Sequence, residues 1–354
     1  MNAPDRSAAP AIRLTSLSHG GGCGCKIAPG VLEQILAKSP GALLPKELLV
    51  GIETSDDAAV YQVNERQAIV ATTDFFMPIV DDPFDFGRIA ATNAISDIYA
   101  MGATPLFALA LVGMPVNTLP LETIKRILDG GEAICREAGI PIAGGHTIDS
   151  VEPIYGLVAI GIVDPANLKR NSGARPGDVL ILGKRLGVGI YSAALKKEQL
   201  EADAYALMIA GTTQLNTPGV PLGTLPGVSA LTDVTGFGLL GHLLEICKGS
   251  KCAATIRFDE LPLLPDALSL AGRGFITGAS ARNWAGYSGL VSLGERTDDA
   301  RRAVLTDPQT SGGLLVACAP EAAQDVLTIF REHGFEFAAE IGKFRPGAPG
   351  VMVA

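Results

Sequence analysis

Residues 56–74 begin Asp56-Asp57-Ala58-Ala59-Val60-Tyr61 and end Ala68-Ile69-Val70-Ala71-Thr72-Thr73-Asp74, and this stretch decides the fold. Two short apolar runs flank a turn around Asn64, and acidic residues stand at both outer ends. Short apolar runs on either side of a turn are typical of a β-hairpin. The stretch therefore predicts a hairpin with acids at its ends.

The residues that follow extend this hairpin into a first domain. We predict helices over residues 87–101 and up to about residue 137, strands over 105–113 and 155–163, and a short strand over 140–143 that ends in Gly144-Gly145-His146-Thr147. The order β-β-α-β-α-β-β is an α+β pattern. The predicted fold class is therefore mixed α/β (α+β), with a second domain after this one.

A segment rich in Pro, Asn, Ser and Gly over residues 164–177 marks the domain boundary. The prediction divides the chain into an arm of residues 1–28, an N-terminal domain of residues 29–165 and a C-terminal α/β domain of residues 166–354. In the last of these, Gly187-Val188-Gly189 favours a tight strand-to-helix turn over a dinucleotide fingerprint, since a lone Gly-x-Gly is a weak signal.

Composition limits the function classes. The formal net charge of −9 gives nucleic-acid binding no electrostatic support, so we expect no nucleic-acid partner. Six cysteines show no disulfide framework. The first ten residues lack an apolar signal-peptide core, and the longest strongly apolar run is too short to span a bilayer. We therefore expect a soluble, cytoplasmic protein with no membrane partner.

Acidic residues border the predicted elements and suggest a metal–nucleotide site. They are Asp56, Asp57, Asp74, Asp97 and Asp233. A single Asp is usually a turn former or a helix cap, but Asp97 lies inside a predicted helix, four residues after Asn93. Mg²⁺ prefers oxygen ligands and commonly bridges carboxylates to phosphates. His146 follows a strand within a glycine-rich stretch, whereas His242 is expected to be a packed or surface histidine.

The stretch His19-Gly20-Gly21-Gly22-Cys23-Gly24-Cys25-Lys26, called the Gly-Cys loop below, contains four glycines and two thiols. Glycine N–H groups can cradle phosphate oxygens, and Lys26 adds a positive charge that should lower the pKa of a nearby thiol. Three interpretations remain open from these residues: a reactive loop, a floppy terminal arm and, less favoured, a zinc clasp that lacks a fourth ligand.

The chain resembles the selenophosphate synthetases, also called selenide, water dikinases, a family of aminoimidazole ribonucleotide synthetase-like ATP enzymes. The matching stretches are residues 18–26, 56–60, 72–76, 88–97, 144–149, 232–241 and 307–315. They span nearly the whole chain in order. The first is specific to this family, and the others overlap the wider group of related ATP enzymes.

The resemblance implies the reaction ATP + selenide + water → selenophosphate + AMP + phosphate. It also implies Mg²⁺ dependence and stimulation by a monovalent cation such as K⁺, and the number of acids fits more than one Mg²⁺ per site. The roles it implies are an essential thiol at Cys23, an essential lysine at Lys26, metal ligands at Asp57, Asp97 and Asp233, and nucleotide contacts at Lys26, Thr54, Ser55, Asp56, Asp74, Asp97, Gly145, His146 and Thr147. Cys25 occupies a position that is not generally the essential one.

The resemblance further implies a two-domain fold and a homodimer formed through the N-terminal domain. Because residues 1–28 carry few large apolar side chains, we also expect them to form a mobile glycine-rich lid over the nucleotide that lies outside both cores. A selenium-delivery protein is a further expected partner. Rival functions are an ATP-dependent synthetase for a purine precursor, a hydrogenase-maturation enzyme and a non-enzymatic chalcogen carrier. The chain ends Val351-Met352-Val353-Ala354, without the C-terminal cysteine expected of the second. The acids argue against the third, since a carrier needs no metal-clamped triphosphate.

Overall fold

The computed structural model describes residues 12–27, 31, 35, 45–51 and 56–354. It confirms the mixed α/β class with one sheet in each half of the chain. Among the described residues, no helix is long and apolar enough to cross a bilayer.

The first sheet contains six strands in the order β1-β2-β3-β6-β4-β5. They are β1 (Leu48–Val50), β2 (Ala59–Asn64), β3 (Gln67–Phe76), β4 (Thr104–Met114), β5 (Ile142–Asp149) and β6 (Ile154–Val163). Only the β4–β5 pair is parallel. Strands β2 and β3 form the predicted hairpin, in which Ala59 faces Ala71 and Val60 faces Val70. The hairpin therefore brings Asp57 near the acidic end of β3.

Two helices cover one face of this sheet, α1 (Pro83–Ala100) and α2 (Leu121–Glu137). Helix α1 begins where the Asp82 side chain accepts a hydrogen bond from Asp85 N and where Pro83 needs no intrahelical partner. It is buried on nearly all sides, because it packs against the sheet, against α2 and against the second domain. Asn93 and Asp97 therefore lie at the junction between the two domains.

The second sheet contains seven strands in the order β10-β13-β9-β12-β7-β11-β8. They are β7 (Val179–Leu182), β8 (Val228–Asp233), β9 (Ala253–Ile256), β10 (Val291–Leu293), β11 (Leu314–Cys318), β12 (Ala339–Arg345) and β13 (Gly350–Val353). Edge strand β8 ends at Asp233, next to α1. The two sheets are thus joined around the middle of α1.

Eight helices accompany the second sheet. They are α3 (Val188–Lys196), α4 (Ala202–Thr212), α5 (Gly219–Thr224), α6 (Gly238–Ser250), α7 (Ala267–Gly272), α8 (Gly278–Tyr287), α9 (Asp299–Thr306) and α10 (Ala323–Glu332). Gly187 has a φ of 121° just before α3, which confirms the tight strand-to-helix turn.

Two sequence predictions need correction. Gly144-Gly145-His146-Thr147 does not follow a strand but forms part of β5, an edge strand, because the parallel pairing with β4 continues to Asp149. The arm was expected to lie outside both cores, yet Leu14 is fully buried and Cys23 is 1% exposed. Both side chains belong to the main hydrophobic cluster. A few well-placed apolar residues are enough to anchor a polar segment. Residues 1–11 and 28 lie outside the described residues.

Candidate active site

Three carboxylates from distant parts of the chain meet at the domain junction. Asp57 precedes β2, Asp97 lies in α1 and Asp233 ends β8, and one oxygen of each lies within 4.8 Å of the others. We call these residues the acid cluster. The structure therefore brings together the three metal ligands that the family resemblance implied.

Each carboxylate of the acid cluster accepts one hydrogen bond from a hydroxyl group. The donors are Thr232 to Asp57 Oδ1 at 2.8 Å, Thr72 to Asp97 Oδ2, and Ser96 to Asp233 Oδ2. Asp57 Oδ2 is buried and has no hydrogen-bond partner among the described residues. No Lys or Arg of the described part of the chain forms a salt bridge with the cluster. Within the described residues, the three carboxylates therefore lie together without a Lys or Arg in direct contact.

Burial and mutual repulsion shift the pKa of these groups. Burial, and then the neighbouring Asp233 carboxylate, raise the pKa values of Asp57 and Asp97 well above the usual range. Burial also raises the pKa of Asp233, although the Ser96 hydrogen bond opposes this. A divalent cation would offset the repulsion among the three carboxylates and would be coordinated by the unpaired oxygen Asp57 Oδ2. An all-oxygen donor set of this kind fits Mg²⁺.

Lys26 and Asp74 form an ion pair beside the acid cluster, with 3.0 Å between Lys26 Nζ and Asp74 Oδ2. Asn93 Nδ2 donates to the same carboxylate oxygen at 2.6 Å. Burial lowers the pKa of Lys26, but the charge of Asp74, with smaller effects from Cys23 and Asp97, raises it well above its usual value. The lysine is therefore a permanent cation, and 37% of its side chain is exposed.

Cys23 lies on the other side of Asn93, and its Sγ is 3.1 Å from Asn93 Oδ1. Lys26 does act to lower the pKa of this thiol, as expected, but the increased thiolate fraction predicted from it is wrong. Burial, followed by the charge of Asp74, raises the pKa of Cys23 well above its usual value and outweighs Lys26. Cys23 is thus a neutral thiol that donates to Asn93 in this arrangement. Cys25 is half-buried, and its Sγ lies 2.9 Å from the Gly22 carbonyl oxygen.

The Gly-Cys loop is held between both domains by close backbone contacts. Thr310 Oγ1 accepts from Cys23 N at 3.1 Å, and Gly22 N donates to Met77 O at 2.9 Å. Gly22 has a φ of 54°, and a Cβ atom there would lie 2.3 Å from Thr310 Oγ1. A side chain at Gly22 would therefore displace the loop.

Of the other residues predicted to contact the nucleotide, Asp56 and residues 145–147 are described by the structure, and none of them belongs to the acid cluster. Thr54 and Ser55 fall outside the described residues. Asp56 accepts a hydrogen bond from Asn171 N at 2.6 Å and so links the two domains. Gly145 stands in register with Asp74 but three strands away, roughly 14 Å at the usual spacing of about 4.8 Å per strand. Within one subunit, residues 145–147 therefore do not adjoin the acid cluster.

Sequence reasoning did not give a role to several residues of the site. Asn93 joins Cys23, Asp74 and the backbone N–H of Ser311, and Ser96 joins Asp233 to Asn216. The available signal was the spacing of Asn93 and Ser96 on the same helix as Asp97. His242, as expected, is a packed histidine, buried and stacked on Phe237 with 5.5 Å between ring centroids.

Comparison with known proteins identifies the family and the fold. The family described as AIR synthase related protein, N-terminal domain, matches residues 55–163, and the corresponding C-terminal domain matches residues 175–353. Solved structures similar to this fold include thiamine-monophosphate kinase from Stenotrophomonas maltophilia K279a, with a TM-score of 0.64, 22% identity and coverage of 93% of this chain and 96% of that one. The hydrogenase maturation protein HypE in complex with ATP has a TM-score of 0.61, 22% identity and coverage of 97% and 95%. These two show the fold alone.

Curated relatives are far more similar in sequence. Selenide, water dikinase of Dechloromonas aromatica (strain RCB) is 68% identical over 342 residues, which cover 97% of this chain and 98% of the relative. The protein of the same name from Burkholderia pseudomallei (strain K96243) is 66% identical over 347 residues, 98% of each chain. That from Rhizobium meliloti (strain 1021) is 57% identical over 343 residues, 97% of this chain and 98% of the relative. The chain therefore belongs to the selenide, water dikinase family of phosphotransferases, within the AIR synthase-related proteins.

Proposed function

We propose that this protein converts ATP, selenide and water into selenophosphate, AMP and phosphate. The observation that carries the proposal is the meeting of Cys23, Lys26 and the acid cluster at one domain junction. A soft thiol suits a chalcogen substrate, whereas a cation beside clustered carboxylates suits a metal-bound triphosphate. The names of the closely similar relatives support the same reaction.

The acid cluster is the proposed Mg²⁺ site, with Asp57, Asp97 and Asp233 as ligands. Bound there, Mg²⁺ would neutralise phosphate charge and orient the triphosphate. Further ions would be held largely by phosphate oxygens, as Mg²⁺ sites often are. The hydroxyl groups of Thr72, Ser96 and Thr232 fix the direction of the three carboxylates.

Different side chains are proposed to contact the two substrates, Lys26 the phosphates and Cys23 the chalcogen. Lys26 supplies a permanent positive charge to the phosphates, and Asp74 holds its ammonium group in place. Asn93 accepts from the Cys23 thiol and donates to Asp74, so it fixes the distance between the two substrate positions. The buried position of Cys23 excludes water from the chalcogen.

An assay of AMP release from ATP, with and without selenide, tests the reaction directly. We expect AMP, phosphate and selenophosphate in equal amounts when selenide and Mg²⁺ are present, with selenophosphate identified by ³¹P NMR. Release of ADP as the only nucleotide product would favour a purine-type synthetase. Binding of selenium without any nucleotide cleavage would favour a carrier.

The Gly-Cys loop is also proposed to close over bound nucleotide as a lid. Ordering each residue costs roughly 1–2 kcal/mol of backbone entropy, and phosphate contacts to Lys26 and to glycine N–H groups would offset part of this. We expect hydrogen exchange over residues 12–27 to slow when Mg²⁺ and a non-hydrolysable ATP analogue are added. Exchange that is equally slow without nucleotide would show that this segment is a fixed part of the fold.

A homodimer through the first sheet is the proposed assembly. The face of this sheet opposite α1 and α2 carries apolar side chains on neighbouring strands, among them Tyr61, Phe75 and Ile148, which are 46%, 49% and 55% exposed. An apolar face of this kind usually marks an interaction surface. His146 lies on the same face as Leu111, so it would face the partner. The predicted nucleotide role of residues 145–147 then requires a contact across the dimer or a nucleotide that extends along the sheet.

Changing Val158 to arginine should produce monomers. Val158 stands in the central strand β6, between Thr73 and Leu109 on the open face, and a charge buried there would lack a partner. Light scattering after size exclusion should give half the wild-type mass. Met352→Arg is the matched control, since Met352 is 41% exposed on the second sheet. A dimer in both variants would rule out this interface.

A further inference from the structure

The proposed substrates pose an electrostatic problem at Cys23. Selenide at neutral pH is the monoanion HSe⁻, because Se–H is more acidic than S–H. On the nucleotide side, Cys23 faces the charge of Asp74, and a triphosphate would bring more negative charge than Lys26 and bound Mg²⁺ neutralise. An anion that approached through this side would be repelled. The chalcogen therefore needs a different approach to the thiol.

A cleft of about 490 Å³ borders the Gly-Cys loop, and neither Asp74 nor any residue of the acid cluster lines it. Its walls include His19, Lys196, Lys197 and Arg282, together with Gly20 and Gly24. None of the described residues that line it is acidic. In a protein with a net charge of −9, such a concentration of cations is distinctive. We call it the basic cleft.

The acidic groups near the rim of the basic cleft have basic partners. Glu152 Oε2 lies 2.9 Å from His19 Nδ1, and the charge of Lys196 also acts on this carboxylate. Asp81 and Glu198 both pair with Arg13. Helix α8 also directs its N-terminus at the cleft, because Gly278 and Ala279 line the wall, and a helix N-terminus favours an anion. Counting Arg13, Lys196, Lys197 and Arg282 against Asp81, Glu152 and Glu198, with a neutral His19, the basic cleft and its rim keep one net positive charge.

A smaller cavity adjoins the basic cleft, with which it shares three lining residues. It has a volume of about 10 Å³, and its lining includes Cys23, Lys26 and Asn283. Gly24, Ala279 and Arg282 line both spaces. Its volume is about that of one water molecule, so the loop must shift to admit a selenium atom. Arg282 controls that shift, because its guanidinium donates to Gly24 O at 3.0 Å.

From these observations we infer that the basic cleft is the access route and binding subsite for the hydrochalcogenide anion. Lys196 and Lys197 attract HSe⁻ into the cleft. Arg282, which lines both spaces, binds the anion next, and the anion reaches Cys23 when the loop at Gly24 shifts. The inference rests on the proposed function for the identity of the anion. It gives the two substrates separate approaches, so that ATP and selenide can bind without meeting in a shared channel.

The kinetic test compares two variants that lose the same three charges. The cleft variant is Lys196→Gln/Lys197→Gln/Arg282→Gln, and the control is Lys46→Gln/Lys125→Gln/Lys343→Gln, whose side chains are exposed elsewhere. The cleft variant should raise the KM for selenide about tenfold, a normal size for local electrostatic focusing. Its KM for ATP should stay within about twofold of the wild-type value. Its kcat/KM for selenide should depend much less on salt concentration than that of the wild type. Equal selenide KM values in the two variants would overturn the inference.

A second readout needs no enzymatic activity. Iodoacetate and iodoacetamide are similar in size but differ in charge, and mass spectrometry can follow their reaction with Cys23 in nucleotide-free protein. The ratio of the iodoacetate rate to the iodoacetamide rate should fall about tenfold in the cleft variant and stay at the wild-type value in the control variant. An unchanged ratio contradicts the inference. If the wild-type protein fails to release AMP with selenide, the proposed function is wrong, yet this ratio still decides the role of the cleft.

Discussion

Replacing Asp57 with asparagine should weaken Mg²⁺-dependent nucleotide binding at least about 100-fold. Mutation of a residue that only hydrogen-bonds to a metal ligand already lowers metal affinity about 10–100-fold, and loss of a ligand should cost more. The change is nearly isosteric, and Asn Oδ1 can still accept from Thr232. What it removes is one negative charge from a group of three whose oxygens lie within 4.8 Å. Asp97→Asn and Asp233→Asn should have the same effect on binding.

The same variant should be more stable than the wild type when metal is removed. The unpaired Asp57 Oδ2 becomes an amide nitrogen that can donate to a neighbouring carboxylate. Repulsion within the acid cluster, which raises the pKa values of Asp57 and Asp97, is then relieved. The melting temperature in EDTA should rise, whereas stabilisation by Mg·ATP should be lost. A higher melting temperature in EDTA together with a loss of stabilisation by Mg·ATP is the result expected of a metal-binding site.

Calorimetric titration with Mg·ATP and thermal unfolding with and without EDTA measure both effects. Asp325→Asn is the control, because Asp325 is an exposed acid in the first turn of α10. It should leave both measurements close to those of the wild type. Unchanged Mg·ATP affinity in all three cluster variants would show that these acids are structural.

Much of the framework around this cluster could be predicted from local sequence. The hairpin, the helix that carries Asn93 and Asp97, and the strand that ends at Asp233 follow from short-range patterns of apolar and acidic residues. Their convergence could not be predicted that way, because Asp57 and Asp233 are separated by most of two domains. The pattern marked five acids as a metal–nucleotide site, and only the family resemblance selected these three as the metal ligands.

Burial explains the predictions that failed. The lysine three residues after Cys23 suggested a reactive thiolate, but desolvation at a site that is 1% exposed outweighs one nearby charge. Leu14 showed no periodic pattern that would have placed it in a core. Gly144 to Thr147 resembled a loop by composition, yet parallel pairing with β4 holds them in an extended strand. In each case a tertiary contact overrode a local signal.

The two thiols of the Gly-Cys loop offer a matched pair of one-atom substitutions. Cys23→Ser should reduce selenophosphate formation by on the order of 10³-fold or more, as expected when an essential reactive group is lost. A serine hydroxyl can still donate to Asn93, so the loop and the Asp74–Lys26 pair should persist. What is lost is a soft, polarisable sulfur at the meeting point of the two substrates. Mg·ATP affinity should therefore change little.

Cys25→Ser should keep most of the wild-type activity. Cys25 Sγ contacts the Gly22 carbonyl oxygen, whereas Cys23 Sγ contacts Asn93, and a hydroxyl at position 25 can make the same hydrogen bond. Selenophosphate formation followed by ³¹P NMR, with Mg·ATP affinity and melting temperature measured on the same samples, separates a chemical loss from a folding defect. Full activity in Cys23→Ser would exclude a chalcogen-binding or nucleophilic role for that thiol. Equal losses in both variants would assign the effect to the loop as a whole, because two sulfurs in such different surroundings share only that structure.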